Sequence, residues 1–150
     1  MKLGLMLGYW MAGPEDPIEL VREAEDLGFD SVWSAEAYGN DCVSTLCWMG
    51  ARTKRIKLGT GICLVAQRDP IVLAKEVATL DLISNGRFVF GIGFGWNREE
   101  MAQHGVAFTE RRDLVREKML AMRALWTRER AGYLGKRVKV EETWSWPKPV

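Results

Sequence analysis

The chain has 150 residues, 21 Lys plus Arg against 20 Asp plus Glu, and a formal net charge of +1. That length suits one domain with its own core, and the even charge balance argues against nucleic acid or an anionic membrane as partner, leaving small molecules. Cys42, Cys47 and Cys63 are an odd set without CxxC spacing, and His104 is the single histidine. Disulfide scaffolds, zinc ribbons and histidine-based metal sites are therefore disfavoured, no metal site is expected, and a reducing cytoplasm is the expected compartment.

The N-terminal LGLMLGYWMAG is short, has only Lys2 before it and runs into an acidic helix, so it reads as a first strand (residues 2–8) and not as a signal segment. No apolar run approaches the ~18 residues of a membrane span. Asp16 and Pro17 start a helix with Ile18, Val21, Ala24 and Leu27 on one face, closed by Gly28. A second strand (29–35) ends at Glu36, after which Asn40 or Asp41 caps a helix bearing Val43, Leu46 and Cys47. Cys42 and Cys47 read as small core residues there.

A third strand (56–60) leads through GICLVAQR to Asp69-Pro70, a second cap-and-proline helix start, with Ile71, Ala74, Val77, Ala78 and Ile83 in helical period. Asn85-Gly86 turns the chain into a fourth strand, RFVFGIG (87–93). A short helix follows at NREEM, then a longer one capped by Thr109, with Val115, Met119, Met122 and Trp126 as its stripe. The tail alternates polar and apolar residues and reads as a hairpin with an extended exit. Strict βα alternation predicts an α/β fold with a covered parallel sheet, either doubly wound or a (βα)8 barrel. A barrel takes ~250 residues, so four units here are half of one.

In both architectures ligands sit beyond the carboxyl ends of the strands. The glycines of GIGFG (91–95) leave backbone exposed there, but the third glycine of a dinucleotide fingerprint would fall on Trp96, and the motif follows the wrong strand for one. A tight strand-to-helix turn is the plainer reading. Asn97 serves equally as a ligand contact or as the cap of NREEM. Glu36 ends the second strand, where catalytic groups and simple paired carboxylates both occur. Tyr9, Trp10, Tyr38 and Trp96 each follow a strand end and together could wall a slot for a planar cofactor.

Residues 58–101 (LGTGICLVAQRDPIVLAKEVATLDLISNGRFVFGIGFGWNREEM), with the distal WSWPKPV, closely resemble the bacterial luciferase-like superfamily, especially its members that use the deazaflavin coenzyme F420; the resemblance spans the whole chain and is most specific in residues 56–105. The resemblance implies the N-terminal half of a (βα)8 barrel. It implies a non-prolyl cis peptide at Gly61-Ile62 behind the flavin or deazaflavin ring, and ring contacts from Gly93, Phe94 and Asn97. It further implies hydride transfer between F420 and an organic substrate; Glu36, from its place at the end of the second strand, is the candidate acid–base group. FMN, in a monooxygenase, is the alternative cofactor. Many F420-dependent relatives carry His after the second-strand acid, where this chain has Ala37, so histidine-based proton transfer is not expected. A reading of another class is a truncated, inactive half-barrel, an assembly module or remnant whose sheet edges and apolar face favour a homo-oligomer.

Overall fold

The computed structural model describes residues 1–8 and 16–150; Tyr9 and Trp10 of the expected aromatic wall lie outside the described residues. In chain order the elements begin with β1 (Gly4–Gly8), α1 (Ile18–Asp26), β2 (Ser31–Ser34), α2 (Cys42–Gly50), β3 (Lys57–Thr60) and β4 (Cys63–Leu64). They continue with α3 (Pro70–Ile83), β5 (Phe88–Val89), β6 (Ile92–Gly93), α4 (Arg98–Gln103), α5 (Arg111–Thr127), β7 (Arg130–Leu134) and β8 (Lys139–Trp144). Two compact units form, residues 1–63 with 83–92, and residues 64–82 with 93–150.

The first unit is built on a four-stranded sheet in the order β1-β2-β3-β5, parallel throughout. Each new strand adds on the same side, which is barrel winding; a doubly wound sheet would reverse direction from its first strand. Two rows run across it in register. Leu5, Val32, Leu58 and Phe88 form one, with Val32 and Leu58 fully buried. Met6, Trp33, Gly59 and Val89 form the other.

Trp33 sets the second row. A Cβ on Gly59 would lie 2.2 Å from the indole Cε3, and one on Gly4 would lie 2.9 Å from Nε1, so the ring occupies space that two glycines vacate. Its Nε1–H donates to Ser31 Oγ at 2.9 Å, which satisfies the polar edge of a part-buried aromatic.

Two charged side chains tie down loops at the starts of strands. The Glu25 carboxylate accepts from the backbone N–H groups of Lys54, Arg55 and Ile56 at 2.9, 2.6 and 2.8 Å. Burial pushes its pKa up, but these backbone donors and the Arg55 charge outweigh it and leave the carboxyl below its ordinary value. The Arg87 guanidinium donates to Ser84 O, Thr53 Oγ1, Ile56 O and Gly50 O at 2.8 to 3.1 Å. Four acceptors around one rigid fork make this a clamp that lysine could not reproduce.

The expected proline start holds at α3, whose first residue is Pro70, whereas α1 begins at Ile18 with Pro17 as its N-cap, one residue later than expected. Asp16 Oδ1 accepts from Ile18 N at 3.0 Å, and Asp69 Oδ1 accepts from Ile71 N and Val72 N at 2.9 Å. Of the alternatives Asn40 and Asp41, Asp41 is the cap, accepting from Ser44 N at 2.6 Å. Asn85 and Gly86 both take positive φ, 56° and 73°, as the sharp turn into β5 requires.

Two expectations change. The fourth strand is not continuous over 87–93 but divides into β5 and β6. Gly91 N donates to Val89 O at 3.1 Å, a three-residue turn that breaks the extended run. The freed Gly91 carbonyl accepts from Thr60 Oγ1 at 2.7 Å and Cys63 N at 2.9 Å. Thr109 does not cap α5 either: it lies inside a single 3-10 turn, Phe108–Glu110, and no side chain caps the helix. That turn brings its own Glu110 N to Ala107 O bond at 2.9 Å, so the helix entry is supplied by backbone.

In the second unit, α5 buries Val115, Ala121, Met122 and Leu125, while Met119 and Trp126 of the expected stripe are only half-buried. Side-chain to backbone bonds anchor it. Lys118 Nζ donates to the carbonyls of Ala66 (2.8 Å) and Arg68 (2.6 Å), and Trp126 Nε1 donates to Ala74 O at 2.9 Å. The expected tail hairpin is present as antiparallel β7–β8, whose turn is held by Glu117, accepting from Arg137 N and Val138 N at 2.8 and 2.9 Å. Among the described residues no helix is long and apolar enough to cross a membrane.

Candidate functional site

In the first unit the strand ends bring Glu36, Gly61 and Ile62 into one region. β2 and β3 run parallel to their last residues, Ser34 and Thr60, and the ladder carries on one step as Gly61 N donates to Ser34 O at 2.8 Å. The Gly61-Ile62 peptide is cis, as the resemblance implied. A Cβ on Gly61 would stand 3.1 Å from Met6 Cε, so the glycine keeps the backbone bare of a side chain beside a flexible methionine.

Glu36 follows β2 by two residues and is half-buried; its Oε2 accepts from Cys42 N at 3.3 Å, the first residue of α2. A carboxylate at a helix N-terminus is well placed for the helix dipole. The thiols of Cys42 and Cys63 complete the group: the three ligand atoms lie within 4.8 Å of one another, and both cysteines are fully buried. The hydrogen bond with Cys63, then burial, then the neighbouring Glu36 push the Cys42 thiol far above its ordinary pKa, so it is held neutral. Cys42 is the buried core residue expected of it, with Cys63 and Glu36 as its polar neighbours. Cysteine spacing in the sequence carries no hint of this meeting, because the three residues come from three different segments.

The second unit holds Gly93, Phe94 and Asn97. Gly93 ends β6, Phe94 is 48% exposed and Trp96 is 72% exposed, leaving two aromatic rings open to contact. Gly95 has φ +78°, the left-handed conformation that favours glycine in this turn. Asn97 is the cap of α4: its Oδ1 accepts from Glu99 N and Glu100 N at 3.0 and 3.1 Å. Arg111, absent from the expected set, donates from Nε to Gly95 O at 3.2 Å and lies over the Phe108 ring at 3.6 Å, fixing the turn that follows β6. His104 closes α4 as an exposed residue. Tyr38 is 52% exposed.

The chain matches the family model described as luciferase-like monooxygenase over residues 4–150. It is 41% identical over 130 residues to a putative coenzyme F420-dependent oxidoreductase of Mycobacterium tuberculosis, covering 86% of this chain and 38% of that protein. Among solved structures, the monooxygenase RslO1 from Streptomyces bottropensis superposes with a TM-score of 0.92 at 29% identity, covering 99% of this chain and 50% of that one. The oxygenating constituent of 3,6-diketocamphane monooxygenase of Pseudomonas putida, in complex with FMN, gives 0.84 at 25% identity, covering 93% and 43%. The chain therefore spans no more than half the length of these relatives. With its one-way parallel winding, it has the architecture of half a TIM barrel. Residues 4–150 place the chain in the luciferase-like monooxygenase family.

Proposed function

We propose that this chain is the ring-holding half of an oxidoreductase that moves a hydride between coenzyme F420 and a small organic substrate. The observation that carries this reading is the 41% identity, over 86% of the chain, to a putative coenzyme F420-dependent oxidoreductase. The residues present fit such a ring. Gly61 offers bare backbone with only a movable methionine beside it, and Phe94 offers an open apolar face. When bound, the deazaflavin supplies the hydride chemistry; the protein supplies position and electrostatics.

In this reading Gly61 and Ile62 support the ring, and Gly93 and Phe94 are the ring contacts that the family resemblance implies. Asn97 acts by fixing the start of α4. Glu36 is the acid–base group, its carboxylate oriented by the Cys42 N–H. A second reading, an FMN-dependent monooxygenase, is favoured by the FMN complex of the Pseudomonas relative. Fluorescence titration with F420 and with FMN separates the two. Saturable F420 binding that weakens in Phe94→Ala is expected. Tight FMN binding without F420 binding overturns the first reading in favour of the second. For Glu36, a Glu36→Gln variant that binds F420 normally and turns over at the full rate removes its acid–base role.

A further inference from the structure

We infer that Glu36, Cys42 and Cys63 form a binding site for a soft, closed-shell divalent cation of the zinc class. The donor set is two sulfurs and one carboxylate oxygen, all within 4.8 Å of one another. Zinc takes thiolate sulfur at ~2.3 Å and carboxylate oxygen at ~2.0–2.2 Å, which sets two bound sulfurs about 3.8 Å apart in a tetrahedral shell. Closing the site therefore needs a contraction of about 1 Å at most, within the reach of side-chain rotation. Three protein ligands leave a fourth position for water or another donor.

The ligands are positioned by backbone. Cys63 is held through its N–H to Gly91 O at 2.9 Å. Cys42 opens α2, whose cap Asp41 accepts from Ser44 N. Glu36 is steered by the Cys42 N–H. Two buried thiols alone would be ordinary small hydrophobes. A carboxylate oxygen set against both of them is what a core would avoid and a cation site uses. Sulfur donors disfavour magnesium and calcium, which select oxygen shells. Metal binding does not depend on the proposed cofactor chemistry. Where Glu36 does act as acid–base group, the loaded form withholds its carboxylate from proton transfer.

Titrating the reduced chain with Co2+ and reading thiolate-to-metal charge-transfer absorption tests the site. One equivalent is expected, displaced by Zn2+, abolished in Cys42→Ser and Cys63→Ser, weakened more than about tenfold in Glu36→Gln and unchanged in Cys47→Ser. Absence of the band, or a band that survives in the Cys42→Ser/Cys63→Ser double variant, overturns the site. Should the serine variants fail to fold, X-ray absorption of the zinc-loaded wild-type chain decides. Two sulfurs in the first shell support the site, and a shell of nitrogen and oxygen alone overturns it.

Discussion

The sheet of the first unit and the long helix of the second are shaped by opposite means. In the first, the sheet is shaped by atoms that are missing: Gly4 and Gly59 make room for Trp33, and Gly91 sits where a Cβ would be 2.0 Å from Thr60 O. In the second, α5 is fixed by atoms that are present, the ammonium of Lys118 on loop carbonyls and the carboxylate of Glu117 on the hairpin turn. Strand faces at the inner side of a barrel are crowded, so glycine there is a steric device. A long helix beside loops meets unpaired backbone groups, so charged side chains become its fasteners. The sheet of the first unit should accordingly be intolerant of added atoms, and α5 of the second, like the Glu25 and Arg87 loops of the first, of removed charge.

The largest effect is expected at Gly91→Ala. The obstructing atom is a backbone oxygen that cannot turn aside, and the change should cost about 3 kcal/mol or more in denaturant unfolding. A stable, native-like variant would remove the steric account of the first unit. Gly59→Ala is expected to cost about 2 kcal/mol, because the indole it meets can shift in part. Adding Trp33→Leu should recover much of that loss, and a double-mutant cycle with no coupling would show that the ring is not the obstacle.

In the second unit, Lys118→Met keeps the aliphatic stem but strips the donor from the carbonyls of Val65, Ala66 and Arg68, with an expected loss of about 2 kcal/mol on the same measurement. The smallest effect at neutral pH, and the most specific in shape, belongs to Glu117. The backbone N–H of Arg137, with those of Val138 and Lys136, holds its carboxyl below its ordinary pKa against the opposing push of burial. A depressed carboxyl stabilises the fold above its unfolded-state pKa, and that contribution is lost as pH falls through the lower folded-state value. Glu117→Gln should therefore flatten the acid side of the Tm-versus-pH curve, and an unchanged acid limb would deny the carboxylate its fastening role.

Most of the elements were legible because their signals are local. Asp16-Pro17, Asp69-Pro70 and Asn85-Gly86 each place a donor, an acceptor or a φ angle within four residues of where it acts. The break at Gly91 was hidden because RFVFGIG has the composition of one continuous strand, and only Thr60 and Cys63, from another strand end, claim its carbonyl. Thr109 misled for the opposite reason: its residue type suits a cap, but the turn from Phe108 to Glu110 already supplies the helix entry. At the candidate site, Gly61 and Ile62 fall on the cis peptide that the family resemblance implied, whereas the residue type of Asn97 suits a cap and a contact alike, and only the placement of its Oδ1 on two backbone amides shows the cap.

By itself, the amino-acid sequence determined the alternation of strands and helices and the cap and turn positions, since periodicity, φ preference and capping are written in neighbouring residues; the luciferase-like family came from the resemblance of its motifs. Tertiary structure alone decided the one-way winding of the sheet, the Arg87 clamp, the glycine space around Trp33 and the meeting of Glu36 with Cys42 and Cys63. Those depend on which residues of separate segments fall side by side, and register between strands is fixed by packing that no single segment contains.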